Sequence, residues 1–573
     1  LIGVLLASPS IFIGFHLDDH IVRYMFSDLP GAEQLHDAYE SPFGVANGEP
    51  DSNHWQIERG YAPFWTPPDL LLSLWRPISE ATHLLDYTQW PSNAEIMHVH
   101  SLIWFFALLC AAAFLYRRVL GKTTIAGLAA LLYAFDHNHG FAVGWIANRN
   151  IVIATAFGVV ALSLFIAARQ QASRSLSALS AFLFGCALLS NEASVAVLGY
   201  MLGYVIFAER GSILRRLSGL APQAAVIVVW LFAYNWMGRG ASGSGMYIHP
   251  LTEPTNFVLA GLQRLPVLVL GQLLLPPAEL YALVPPPWPQ VMCAFAWLIF
   301  LWFIAALLPM VKRDRHARFW AFGSSFALLL VCATYPHGRL LFYVGLGAIA
   351  LLSQIWHGLV EGASWLPAAA LFRKLATPLV ASAMGVHLFI SPLLLPVMAC
   401  SVWFLSTPIE RAVNQLGTQY ARSDRDLVVL TAPEYFYVKL LVPVQALKQR
   451  PQPRRLRALG FGAVRTTVER LDDRSLELRY KGGILQTRLM QLYRDARIPM
   501  VVGEKIELTG LSIEVTEVTG DGRLSAARFR FDESLDSPRL QFVYWDGDGF
   551  APFTIPPIGQ RRELPLATLA LGL

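Results

Sequence analysis

Between Leu1 and Ile409 the chain carries 41 charged side chains, and the 164 residues after that carry 44. Soluble domains are roughly 25% charged. A run of 409 residues with about one charge in ten cannot cover itself with polar surface in water, so the bilayer is the solvent it fits. The last part has ordinary soluble composition. A membrane part, 1–409, and a soluble part, 410–573, are therefore expected, with the break near Ile409.

Apolar stretches near 1–15, 95–116, 123–136, 150–168, 176–190, 193–208, 219–237, 291–311, 319–335, 340–356 and 376–404 predict eleven crossings. The chain lacks an initiator Met and opens inside an apolar run, read as the end of a first membrane helix, so further residues are expected before Leu1. The stretch 256–284 is also apolar. It is interrupted by Pro266, Pro276 and Pro277 and closed by Pro285, Pro286 and Pro287, and is expected to be re-entrant or interfacial.

Lys and Arg in short loops set orientation. Arg117, Arg118, Lys122, Arg169, Arg174, Arg210, Arg215, Arg216, Lys312, Arg313, Arg315, Arg318, Arg373 and Lys374 fall in alternate loops, which are therefore cytoplasmic. The soluble part then lies outside, with the chain integral to the inner (cytoplasmic) membrane. The other basic residues before Ile409 are all arginine: Arg23, Arg59, Arg76, Arg149, Arg239, Arg264 and Arg339. All map to the outer side or near it, where they either pair with outer-loop carboxylates or bind phosphate through the guanidinium fork. No basic run suits nucleic acid. The five cysteines, all in apolar segments, offer no disulfide framework and no CxxC knuckle.

The first outer loop, 16–92, holds 12 acidic and three basic residues. At its start, His16-Leu17-Asp18-Asp19-His20 places two adjacent carboxylates where the first helix leaves the membrane. Mutual repulsion and desolvation raise such pKa values, as a general base requires; the bland reading is a solvated helix end. Phe64-Trp65 and Leu70 to Trp75 predict a short amphipathic helix lying in the interface.

Five segments in order resemble a known family. Asp18-Asp19-His20 follows the first helix. Leu74-Trp75-Arg76-Pro77-Ile78 is similar to its "YRPL" segment. His139 with Gly144-Trp145-Ile146-Ala147-Asn148-Arg149 is similar to "H…VAWIAGR". Leu188-Leu189-Ser190-Asn191-Glu192 is similar to "LLSKE", and Pro336-His337-Gly338-Arg339-Leu340-Leu341-Phe342-Tyr343 to "ERLLYLPS". The family is the integral-membrane glycosyltransferases of the C superfamily (GT-C), in the branch of the tetratricopeptide-repeat transmembrane O-mannosyltransferases and their bacterial relatives. The resemblance covers roughly residues 1–400. It implies a polytopic α-helical fold that moves a sugar from a polyprenyl-phosphate carrier to an acceptor on the outer face. It also implies Asp18 and Asp19 as catalytic carboxylates, Arg76, Arg149 and Arg339 as holders of the donor phosphate, and His20, His139 and Glu192 in support. Partners would be the lipid-linked sugar, membrane lipids and an acceptor or protein partner.

The sequence departs from the pattern at Asn191, where the family has Lys, and at Phe141, where it has an acidic residue; Asp136 stands nearby. No 34-residue period follows Ile409, so the repeats are absent. These departures keep a second expectation open, a non-catalytic subunit on the same scaffold that assembles with other proteins. His16, His20, His36, His54 and His83 lie among many carboxylates and leave a divalent metal open, without a spacing motif to fix it.

In the soluble part, Leu427–Leu430, a helical run to Lys448 and Arg454–Leu459 predict a small α/β piece. Alternation in 475–480, 505–508, 512–518 and 527–531, with 540–545, predicts a β-sandwich or barrel. Asp546-Gly547-Asp548-Gly549 lacks the twelve-residue calcium pattern and is expected to be a turn.

Overall fold

The computed structural model describes residues 1–284, 287–487 and 489–568, so Pro285 and Pro286 of the proline run lie outside the described residues. The chain forms two compact units. One comprises Leu1–Gly14, Trp75–Gly238 and Ile248–Trp403, the other Phe15–Leu74, Arg239–Tyr247 and Phe404–Leu573. The outer loop expected over 16–92 is thus divided at Trp75, and its larger part packs with the C-terminal residues.

The first unit is helical, and each of the eleven predicted apolar stretches is mostly helix. Among the described residues, six helices are long and apolar enough to cross a membrane: Ala94–Leu120, Ile146–Gln171, Pro254–Leu273, Trp288–Arg313, Phe342–Glu361 and Ala370–Tyr420. The protein is an integral membrane protein. Side chains at the turns fix several helix starts: Asn93, Thr123 and Ser173 each accept a backbone N–H of the first turn. Arg117 and Arg118 end the first of these helices, where the dipole favours cations. Outward faces are apolar, as with Phe232, Leu298 and Phe389, each about 70% exposed. Inside, buried phenols find backbone acceptors: Tyr116 donates to Leu346 O (2.8 Å) and Tyr133 to Phe342 O (3.1 Å). Leaving such groups unpaired at membrane depth would cost several kcal/mol each, on the order of a lost hydrogen bond in hydrocarbon.

The broken segment expected at 256–284 is corrected in its first half. Pro254–Leu273 is one helix with Pro266 inside it. Proline at 266 withholds the N–H that Leu262 O would accept, and Trp297 Nε1 donates to that carbonyl instead, at 2.9 Å. Regular helix stops only after Leu273, before Pro276 and Pro277.

Among the described residues, the second unit has one core and three sheets. Gly44–Asn47, Leu71–Ser73 and Gly240–Ser242 form a small antiparallel sheet. Asp426–Val429 lies parallel to both Arg455–Ala458 and Leu540–Trp545, with Phe550–Pro552 antiparallel at the edge. An antiparallel sheet of six runs in the order 561–564, 466–470, 475–480, 524–531, 511–518, 505–508. The predicted strands 475–480, 505–508 and 540–545 occur at those bounds. Leu540–Trp545, however, completes the parallel sheet and does not join the antiparallel one.

The interfacial helix expected around Phe64 to Trp75 does not form. Phe64, Trp65, Leu70 and Leu72 are buried, and 71–73 is a strand. Trp65 packs on Phe461 and Phe64 on Phe529, each with ring centroids 5.6 Å apart. Arg494 donates to Trp65 O at 2.9 Å and Tyr435 to Gly60 O at 2.8 Å. The aromatic face that suggested a lipid boundary is satisfied by protein.

Candidate active site

Asp18 and Asp19 open a helix, Asp18–Met25, in the second unit. Leu17 before them has φ 48°, a left-handed conformation that costs a non-glycine residue about 1–3 kcal/mol and persists only where packing imposes it. The two carboxylates differ. Asp19 is 1% exposed and accepts from His16 N at 2.9 Å, bracing the bend. Asp18 is half-buried; burial raises the phenol pKa values of Tyr39 and Tyr493, and the Asp18 charge adds a smaller push in the same direction. His16 Nδ1 stands 2.9 Å from Glu410 Oε1 and 2.6 Å from Ser406 Oγ, and His20 Nε2 lies 3.6 Å from the same Glu410 oxygen. Glu410 was not foreseen, because it lies 390 residues away in an amphipathic helix.

In the helical unit, three of the sequence segments converge. Arg76 sits at the cap position of helix Pro77–Gln89. It places Nε (2.9 Å) and Nη2 (2.7 Å) on Glu192 Oε2, and Nη1 donates to Asn150 Oδ1 at 3.2 Å. Asn191 Nδ2 donates to the same Asn150 oxygen at 2.6 Å. The residue standing where the family has Lys thus joins this network through its amide. Glu192 Oε1 is buried without a partner.

Arg149 is fully buried against Asp86, also fully buried, through Nη2 and Oδ2. Its Nη1 lies 2.7 Å from His100 Nδ1, which also stands 2.7 Å from Asp86 Oδ1; His83 Nδ1 is 3.4 Å from Nη2. Burial, followed by the Arg149 charge, holds the His83 pKa well below the usual range. Arg149 is thus paired with a carboxylate from helix Pro77–Gln89. A close approach helps to seat this segment: a Cβ on Gly144 would fall 1.8 Å from Ala399 O. Arg339 lies 5.9 Å from the rings of both Phe141 and Trp145. Glu279 Oε2 accepts from Gly338 N at 3.1 Å, and burial raises its pKa. His139 is enclosed by Phe105, Tyr133 and Phe342. The pairing partners Asp86 and Glu279 are single acids without a motif, and no sequence signal marks them.

Among the described residues, no group of three His, Cys, Asp or Glu side chains comes together to hold a metal ion. Glu434, in the soluble part, is 5% exposed with Oε2 unpartnered, and burial lifts its pKa to about 7.

No family model matches the chain, and no curated protein matches it. Among solved structures it is similar to ArnT from Cupriavidus metallidurans bound to undecaprenyl phosphate, at 12% identity over 79% of this chain and 88% of that one, with a TM-score of 0.39. It is also similar to the oligosaccharyltransferase of Archaeoglobus fulgidus in the apo form, at 12% identity over 80% of this chain and 64% of that one, with a TM-score of 0.41.

Proposed function

We propose that the protein transfers a sugar from a polyprenyl-phosphate-linked donor to an acceptor on the outer face of the inner membrane, with the soluble part extracytoplasmic. One observation carries the reading. Arg76, Asn150, Asn191 and Glu192 come from, or directly adjoin, three separate segments resembling glycosyltransferase motifs, and they form a single hydrogen-bonded network. The carrier class is the one ArnT holds in its solved structure.

In the proposed reaction Asp18 takes the proton of the acceptor hydroxyl as its oxygen attacks the anomeric carbon. The bond from that carbon to the phosphate oxygen breaks, and its electron pair leaves with the polyprenyl phosphate. Arg76 and Arg339 balance the charge that develops on the leaving group, and Arg149, buried on Asp86, holds the segment in place. Charge stabilisation by preorganised donors is generally the largest catalytic contribution at such a site.

A second reading, a non-catalytic subunit on this scaffold, is favoured by the pairing of Arg149 with Asp86 and of Arg76 with Glu192, which neutralises both guanidinium groups. Mass spectrometry of lipids co-purified with the protein separates the two. A polyprenyl-phosphate sugar that is retained by the native chain, lost with Arg76→Ala and turned over on adding acceptor supports transfer. Purified protein that neither retains such a lipid nor consumes one supplied in nanodiscs supports the scaffold.

A further inference from the structure

His100, in the second turn of helix Ala94–Leu120, touches polar groups of Asp86, Trp104 and Arg149, and its two ring nitrogens cannot serve them all. Trp104 Nε1 donates to His100 Nε2 at 3.1 Å. An indole nitrogen only donates, so Nε2 presents a lone pair and the ring carries its proton on Nδ1. That N–H points at Asp86 Oδ1, 2.7 Å away. Arg149 Nη1, 2.7 Å from the same Nδ1, is another donor and gains nothing from a protonated nitrogen. Moving the proton to Nε2 would suit Arg149. It would also set two donors face to face at Trp104 and bring a lone pair against the Asp86 carboxylate. One mismatch costs less than two, and Arg149 keeps Asp86 through Nη2 in either case. The network therefore assigns the proton to Nδ1.

A carboxylate that fixes the proton on Nδ1 aims Nε2 outward as an acceptor. Asp86 is fully buried, whereas the His100 side chain is 21% exposed. Its surroundings show how it is reached. Val99 and Ile103 on the same helix, and Leu84 and Leu85 on helix Pro77–Gln89, are exposed and apolar. A polar acceptor among lipid-facing side chains is costly, and it is accessible to molecules that arrive within the bilayer. Trp104, which covers Nε2, is itself only half-buried and packs on Phe157 with ring centroids 5.4 Å apart. An ionised phosphate oxygen only accepts hydrogen bonds and has no use for a lone pair. A hydroxyl donates and fits it.

We propose that His100 Nε2 binds a sugar hydroxyl of a lipid-borne ligand, with Asp86 orienting the ring and Trp104 covering it until the ligand arrives. The hydroxyl donates to Nε2, and the displaced indole N–H becomes available to an oxygen of the same sugar. That the lipid is the donor substrate rests on the transfer reaction proposed above; the tautomer, the cover and the hydroxyl preference do not.

The test uses full-length protein in phosphatidylcholine nanodiscs, whose headgroups carry no hydroxyl. Diethyl pyrocarbonate acylates bare imidazole nitrogens, and His100 labelling is read by peptide mass spectrometry. Trp104→Phe should speed that labelling by about 3–10-fold, as expected for loss of one neutral hydrogen bond. Polyprenyl-phosphate mannose, glucose and galactose are then added separately to this variant. At least one should slow the labelling of His100, and polyprenyl phosphate without a sugar should not. Labelling of Trp104→Phe at the native rate overturns the proposal, as does protection by bare polyprenyl phosphate or by none of the three sugar lipids. Protection by phosphatidylglycerol alone, whose headgroup carries hydroxyls, would assign the site to bulk lipid and reject the substrate sugar. If Trp104→Phe fails to fold, Trp104→Leu serves with the same outcomes. Where a transfer assay exists, His100→Gln should raise KM for the donor by about 3–10-fold and change kcat less. Sugar-specific protection with no transfer in any variant would leave the binding site standing and remove the enzymatic reading.

Discussion

Arg76 and Glu192, 116 residues apart in sequence, meet at 2.7 Å, with the second contact at 2.9 Å falling on the same carboxylate oxygen. Both side chains are largely buried, at 15% and 23% exposed. This contact ties the segment entering helix Pro77–Gln89 to the start of the turn at Glu192, and it leaves Glu192 Oε1 with no donor.

The first prediction concerns this pair. Hydrogen bonds to charged groups in such settings contribute about 1.5–3 kcal/mol. Glu192→Gln and Arg76→Ala should each lower thermal stability in detergent, and the double variant should lose less than the two together, with a coupling of about 1–2 kcal/mol. Additive losses would mean that the contact is incidental.

The second concerns Arg149 and Asp86. Removing one partner of a fully buried ion pair leaves an uncompensated charge, at a cost of about 3–5 kcal/mol. Asp86→Asn or Arg149→Met alone should therefore reduce folded yield sharply, and Asp86→Leu with Arg149→Met should recover much of it. Unfolding midpoints of the purified variants check this; a mild single variant would indicate that Arg149 is free to serve a ligand.

Asp18 and Asp19 should separate in a third experiment. Asp18→Asn should reduce transfer by about 10²–10⁴ with the fold intact, the usual cost of a general base. Asp19→Asn should act on stability first, because it weakens the brace at His16 N. Equal kinetic defects with unchanged melting would contradict the division of roles.

A fourth prediction follows from Glu434. Its pKa is raised on folding, so the folded state holds its proton more tightly than the unfolded one. Its contribution is fully favourable below the unfolded value of about 4.5 and is lost as pH rises towards 7. Glu434→Gln should stabilise the protein at pH 8 by up to about 3 kcal/mol and have little effect at pH 4. Melting curves at the two pH values are the check, and a pH-independent difference would rule the carboxyl out as the cause.

Orientation supplies the fifth. Asp548, exposed in a turn of the soluble part, should as Asp548→Cys react with a membrane-impermeant thiol reagent in intact spheroplasts. Reaction only after lysis would place residues 410–573 in the cytoplasm.

The helices and strands were legible because burial in a bilayer or a half-buried sheet leaves a period in the sequence. Ser475–Tyr480 and Lys505–Leu508 alternate and are strands at those bounds. Partners were less legible. Leu540–Trp545 alternates equally well for a parallel or an antiparallel neighbour, and only the tertiary fold sets it beside Asp426–Val429. Phe64 and Trp65 misled because an aromatic face looks alike whether it meets lipid or protein. At the candidate site, Arg76, Arg149 and Glu192 were visible through their segments. Asp86 and Glu279 were not, since an isolated charge carries no period and its partner lies far along the chain.

The shared core of Phe64, Trp65 and the C-terminal strands also sets a timetable for biogenesis. Residues near 65 cannot bury their rings until those beyond Phe404 have been made. At ~5–20 residues per second, the ribosome keeps that segment waiting for roughly 20–70 s. During that interval two large aromatic rings are exposed to whatever chaperone is nearest. A nascent chain arrested before residue 404 would remain a substrate for quality control, however well its membrane helices had already inserted.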